Sequence, residues 1–159
     1  MLEIGCGGGA NAARLLARCP DGQVTGIDYS EASVEKSRDF NAEAITAGRC
    51  RIELANVQAL PFADSSFDLA TAFETIYFWP DLAEAFLQVF RVLKKGGQFF
   101  ICNEVDGGNP ADYEMEKKVS GLRIYKEQEI RELLEGAGFS RITVYRDGKK
   151  RWICFLAVR

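Results

Sequence analysis

Apolar residues along this chain follow two alternating rhythms. Short apolar or β-branched runs at 2–4, 24–28, 51–54, 67–72 and 98–102 predict strands. Between them the spacing is helical. Residues 10–18 are rich in alanine and leucine and stop at Cys19-Pro20. Ser30 can cap a helix running to about Ala47, where Gly48 ends it. Leu82, Phe86, Val89, Phe90 and Leu93 mark one face of a helix over 82–93, with Lys94 and Lys95 in its last turn and Gly96-Gly97 beyond. Such alternation predicts a parallel sheet with helices on both faces. The end of the chain differs. A helix over 126–134 closes at Gly136-Ala137-Gly138, and runs at 142–145 and 152–158 flank Arg146-Asp147-Gly148-Lys149, a hairpin signal. The predicted fold is α/β, a doubly wound and mainly parallel sheet finished by an antiparallel β-hairpin, with 1–159 as one domain.

Composition narrows the function. The 159 residues are 47% hydrophobic and 27% charged, ordinary for a globular domain. No apolar run approaches the ~20 residues of a membrane helix, and Met1-Leu2-Glu3-Ile4-Gly5 has no signal-peptide pattern. A net charge of −3 offers no pull toward nucleic acid. Five cysteines (6, 19, 50, 102 and 154) are scattered and never spaced as CxxC, which fits a reducing, cytoplasmic setting and no metal or metalloid trap. The absence of histidine removes Ser-His-Asp and Cys-His catalysis and the usual neutral-pH base.

The chemically informative segment is Glu3-Ile4-Gly5-Cys6-Gly7-Gly8-Gly9-Ala10. Glycines between a strand and a helix let backbone approach a ligand, and the helix start offers free N–H groups. Gly5, Gly7 and Ala10 satisfy the dinucleotide fingerprint, and Asp28 follows Gly5 by 23 residues, as that fingerprint also expects. Glu3 discriminates. A carboxylate there repels pyrophosphate and suits a cationic ligand.

On these residues the chain resembles the class I S-adenosylmethionine (SAM)-dependent methyltransferases, in the type 11 small-molecule branch. Residues 2–9 resemble the first family motif, and Gly26-Ile27-Asp28-Tyr29-Ser30 the second. Asn56-Val57-Gln58-Ala59-Leu60-Pro61-Phe62 resembles the adenine stretch, Ser66-Phe67-Asp68-Leu69 the fourth-strand motif, and residues 91–97 the turn before strand five. The resemblance implies a Rossmann-like fold that binds SAM with Glu3, Gly5, Cys6, Gly7, Gly9, Asp28, Tyr29, Asn56, Val57 and Phe73. Asp28 would take the ribose hydroxyls, Tyr29 would lie on the adenine, Asn56 would accept from its amino group, and the Val57 N–H would reach a ring nitrogen. Asn56 stands where the family commonly has aspartate. Where many relatives have a Glu-His pair, this chain has Tyr77-Phe78, which leaves Glu74 or Tyr77 as the candidate base. Phe73, Tyr77, Phe78 and Trp79 would wall an apolar or flat small-molecule acceptor. Residues 106–110 read as a mobile loop, with Tyr113 and Tyr125 beyond it in possible reach of substrate.

Two other readings stay open: a SAM-binding module without catalysis, and a nicotinamide-dependent oxidoreductase. Family members usually carry a helical segment before the first strand, which covers cofactor and acceptor. Its absence before Met1 predicts a more open crevice, an exposed apolar patch on the sheet, self-association and low turnover.

Overall fold

The computed structural model describes residues 1–147 and 150–159. Seven strands form one sheet: β1 (Leu2–Ile4), β2 (Val24–Asp28), β3 (Cys50–Leu54), β4 (Phe67–Phe73), β5 (Leu93–Asn103), β6 (Ser140–Arg146) and β7 (Ile153–Val158). Their order is β3-β2-β1-β4-β5-β7-β6. β1 to β5 pair in parallel, and β7 runs antiparallel to both β5 and β6. The expected doubly wound sheet with an antiparallel end is therefore present, and its strand order reverses between β1 and β4. Residues 148 and 149 of the expected hairpin turn lie outside the described residues.

Among the described residues there are six α-helices: α1 (Ala10–Arg18), α2 (Glu31–Phe40), α3 (Ala42–Thr46), α4 (Leu82–Val92), α5 (Pro110–Lys118) and α6 (Glu127–Gly136). Over β1, β4, β5 and β7 one face of the sheet is covered by α4 and α6, with Phe86, Phe99, Ile101, Ile130, Leu134 and Phe155 fully buried. Edge-to-face contacts join Phe86 to Trp79 and Phe99. A smaller core on the other face puts Ala12, Leu16 and Val34 over Val24, Cys50 and Ile52. That second face is well covered only over β1 to β3. Under β4 to β7, Phe100, Cys102, Cys154 and Leu156 remain half-buried and Tyr145 is exposed, so burial is less even than the alternation predicted.

Three local departures have physical causes. The helix expected from Ser30 to Ala47 breaks at Asn41, whose buried side chain donates to Ser37 O at 2.9 Å and Gly9 O at 3.1 Å. Side-chain bonding to backbone competes with helix continuation. The helix over 82–93 ends at Val92 and becomes β5 at once; Lys94 pairs with Asp68 on β4 instead of serving a helix dipole, and the ladder between Phe67 and Leu69 is irregular. The segment read as a loop at 106–110 leads into α5. There the Asn109 side chain accepts from Ala111 N–H, the Asp112 side chain accepts from Asn109 N–H, and Pro110 sits at the first helical position.

Candidate active site

The glycine loop is shaped by its neighbours. Gly5, Gly7 and Gly9 all have positive φ (76°, 51° and 86°). A Cβ at Gly5 would meet Thr75 Oγ1 at 2.2 Å, and one at Gly9 would meet Asn41 Nδ2 at 2.4 Å. Both are therefore packing glycines as well as turn glycines. Gly7 differs, because the space beside it is open. The N–H groups of Gly5 and Cys6 both donate to Ile27 O, at 2.8 and 2.9 Å, fastening the turn to the end of β2.

Asp28 ends β2 and holds the loop from the other side. Its Oδ2 accepts from Gly7 N–H at 2.9 Å and its Oδ1 from Ser30 N–H at 3.0 Å. A carboxylate oxygen offers about two lone-pair directions, so each retains one. Asp28 lines a crevice of about 580 Å³ at the carboxyl ends of β1, β2 and β4, where open α/β sheets with a reversal of strand order bind ligands. Gly5, Tyr29, Asn56, Val57, Phe73 and Glu74 line the same crevice. Tyr29 is 78% exposed and free to cover a ligand. The Asn56 oxygen already accepts from Gln58 N–H at 2.9 Å, capping the turn Val57–Ala59.

Glu3, Cys6, Gly7 and Gly9 do not form the crevice wall. Cys6 is buried with its thiol on Ser37 Oγ at 3.7 Å, so its side chain packs the loop from behind. Gly9 closes the loop against α2. Glu3 is 1% exposed, and its Oε2 has no partner. Burial pushes its carboxyl up to about 7, with the Asn11 side chain pulling the other way.

Of the two candidate bases, the structure separates Glu74 from Tyr77. Glu74 follows β4 with φ of 56°, a left-handed conformation that strains a residue with a side chain. Partial loss of water, then the charge of Glu104, push its carboxyl up to about 7. Tyr77 is buried. Its hydroxyl accepts from Val105 N–H at 3.1 Å and donates to Val105 O at 3.4 Å, and burial raises its pKa. It clamps the start of the loop after β5 and does not line the crevice. The expected aromatic wall thus comprises Phe73, Phe78 and Trp79, with Trp79 also donating to Thr75 Oγ1 at 3.2 Å. Neither Tyr113 nor Tyr125 reaches the crevice; Tyr113 bonds Gly107 O, and Tyr125 is a core residue. Ser33, Thr75, Ser120 and Gly121 line it without having been singled out in the sequence. The last two follow α5, and the Asn109-Pro110 start of that helix was the missed signal.

Residues 2–101 match the family model described as "Methyltransferase domain". The 27-O-demethylrifamycin SV methyltransferase of Amycolatopsis mediterranei is 37% identical over 123 residues, covering 75% of this chain and 45% of that protein. The chain spans about half the length of the curated relatives it matches. Among solved structures, the [4+2]-cyclase SpnF is 31% identical with a TM-score of 0.73, covering 89% of this chain and 52% of its own. The geranyl diphosphate C-methyltransferase of Streptomyces coelicolor A3(2), solved with S-adenosyl-L-homocysteine, is 15% identical with a TM-score of 0.88, covering 99% and 71%.

Proposed function

Because this chain belongs to the methyltransferase domain family, we propose that it binds SAM across the carboxyl ends of β1, β2 and β4 and transfers its methyl group to a small-molecule acceptor. The observation that carries the reading is the loop and acid pair: a loop with three positive-φ glycines, of which Gly7 donates to Asp28, and Asp28 itself lining a crevice of about 580 Å³. The residues fit the group. Open space beside Gly7 admits a ligand against the backbone, and the unpartnered Oε2 of Glu3 supplies buried negative potential that favours a cation over a pyrophosphate.

SAM supplies a methyl group on a sulfonium, displaced in line with a neutral leaving group. In this proposal Asp28 accepts from the ribose hydroxyls. Tyr29 covers the adenine, while Asn56 and Val57 meet its edge. Gly5 and Gly7 present backbone, Phe73 packs beside the ligand, and Cys6 and Gly9 hold the loop in shape. Phe78 and Trp79 exclude water on the acceptor side, where alignment supplies most of the rate. Glu74, at the mouth, takes the proton of an acceptor that arrives protonated; a carboxyl poised near neutrality is suited to that task. The five free thiols suit a reducing, cytoplasmic location. The half-covered sheet face under β4 to β7 suits association with a second copy.

A second reading has one observation in its favour: a relative of 31% identity carries the name of a cyclase. Binding without methyl transfer therefore stays the alternative. Calorimetric titration with SAM, its demethylated product and NAD, followed by mass spectrometry of a panel of phenols and alcohols, separates the cases. We expect both sulfur compounds to bind, NAD to be ignored, and one acceptor to gain a methyl group. Binding of NAD alone would make the chain a nicotinamide enzyme. Binding of SAM with no methylated acceptor would leave the binding module.

A further inference from the structure

The sequence spreads cysteines widely, but the sheet brings two of them together. Cys102 on β5 and Cys154 on β7 are direct partners in the antiparallel ladder. Directly opposed residues on one face hold their Cβ atoms roughly 4.5–5.5 Å apart. The register extends the row on both sides. Phe73 of β4 is the partner of Cys102, and Tyr145 of β6 is the partner of Cys154. One face therefore carries the sequence Phe73, Cys102, Cys154, Tyr145 across four strands. This is the incompletely covered face, where both cysteines are half-buried and Tyr145 is 52% exposed, so a small molecule can reach the thiols.

We propose that Cys102 and Cys154 are a dithiol site for a trivalent organic metalloid such as an organoarsenical, held between the rings of Phe73 and Tyr145. The donor set selects this class. Among the described residues no third histidine, cysteine or carboxylate joins the pair in a metal-holding group, so a four-ligand zinc site cannot be completed. A trivalent arsenical needs only two thiols, because its organic group occupies the third bond. Proton balance points the same way. Burial, the partner thiol and the charges of Glu74 and Glu104 keep the Cys102 thiol protonated. A bare soft cation would have to expel both protons without help. An arsenical of the form R–As(OH)₂ brings its own acceptors: two As–O bonds break, two As–S bonds form, and each thiol proton leaves with a hydroxide as water. Arsenic stays trivalent and sulfur is not oxidised, so no other reagent is required. The flanking rings add an apolar seat for the organic group. Because Phe73 also lines the crevice, the site lies one ring away from it.

The test uses the full chain, reduced, with phenylarsine oxide as probe, for which one As=O oxygen leaves as a single water. Intact-mass spectrometry should show one arsenical per chain. Alkylation mapping should show Cys102 and Cys154 protected while Cys19 still reacts. Release should follow addition of 2,3-dimercaptopropanol but not the same thiol concentration of 2-mercaptoethanol, because two linked bonds must be displaced together. Cys102→Ser and Cys154→Ser should each weaken uptake on the order of tenfold or more, with Cys19→Ser unchanged. Protection mapping needs no variant and decides the matter if a serine variant misfolds. Protection on other thiols, release by the monothiol, or undiminished uptake by folded Cys102→Ser would overturn the proposal.

Discussion

The carboxylate of Asp28 accepts from Gly7 and Ser30 N–H groups before any ligand arrives. Removing it therefore has two consequences. Asp28→Ala should weaken SAM binding by about 1.5–3 kcal/mol for each charged hydrogen bond lost, and should lower the melting temperature of the free protein as well. Calorimetry and thermal unfolding on the same preparation check both; unchanged affinity would remove Asp28 from the ribose. Glu3 makes the opposite contribution. Its carboxyl rises on folding from about 4.5 to about 7 because burial disfavours the ionised form. A raised folded-state value means its contribution is fully present below pH 4.5 and is lost as pH rises toward 7. Glu3→Gln should thus match the parent at pH 4 and be more stable at pH 8 by on the order of 1–3 kcal/mol, while binding SAM less well. Urea unfolding at pH 4, 6 and 8 measures the difference. A parent protein more stable than the variant at pH 8 would contradict it.

At the scale of elements, most of the sheet could be read from sequence because its signals are local. Short apolar runs, the glycine turn and Asp28 at a strand end each depend on a few neighbouring residues. What could not be read depends on partners distant in sequence. Asn41 breaks its helix by bonding Gly9, 32 residues away. Tyr77 became a candidate base because Tyr77-Phe78 stands where many relatives have a Glu-His pair, yet its hydroxyl is taken by Val105, which the sheet brings alongside. Glu3 and Cys6 fit a motif that touches a ligand, but both side chains are buried, Glu3 on β1 and Cys6 against Ser37 of α2. The cysteine pair likewise exists only through the β5–β7 register. α5 was missed because its pattern is hardly amphipathic. It buries Asp112 alone, held by Arg151 and by Asn109 N–H at 3.2 Å. Asp112→Ala should therefore cost about 1–3 kcal/mol and mainly loosen α5. Limited proteolysis should show new cleavage within 106–125, next to Ser120 and Gly121 of the crevice. Glu114→Ala, which removes only an exposed pair with Lys117, should leave the pattern unchanged.

For the molecule as a whole, the unequal cores on the two faces set where it opens. The larger core runs under β1, β4, β5 and β7, with the aromatic contacts of Phe86, Phe99, Phe90 and Phe139 at its centre. The smaller one holds α1, α2 and α3 to the far half of the sheet, which ends in the edge strand β3. Local opening follows the parts with less buried apolar surface. Amides of α3, α5 and the edge strands β3 and β6 should exchange hydrogen faster than those of β5 and β7. The crevice lies where these halves meet, between β1 and β4, and Asp28 and Ser33 belong to the weaker half. A ligand bound there stabilises the folded state by mass action, about 2.7 kcal/mol at a hundred times its dissociation constant. Its effect should concentrate where opening would release it. SAM should slow exchange in β1, β2 and the start of α2 far more than in β7, narrowing the gap between the halves, while NAD leaves the pattern as it was. Protection confined to β6 and β7 would place the ligand elsewhere and dismiss the crevice as its site.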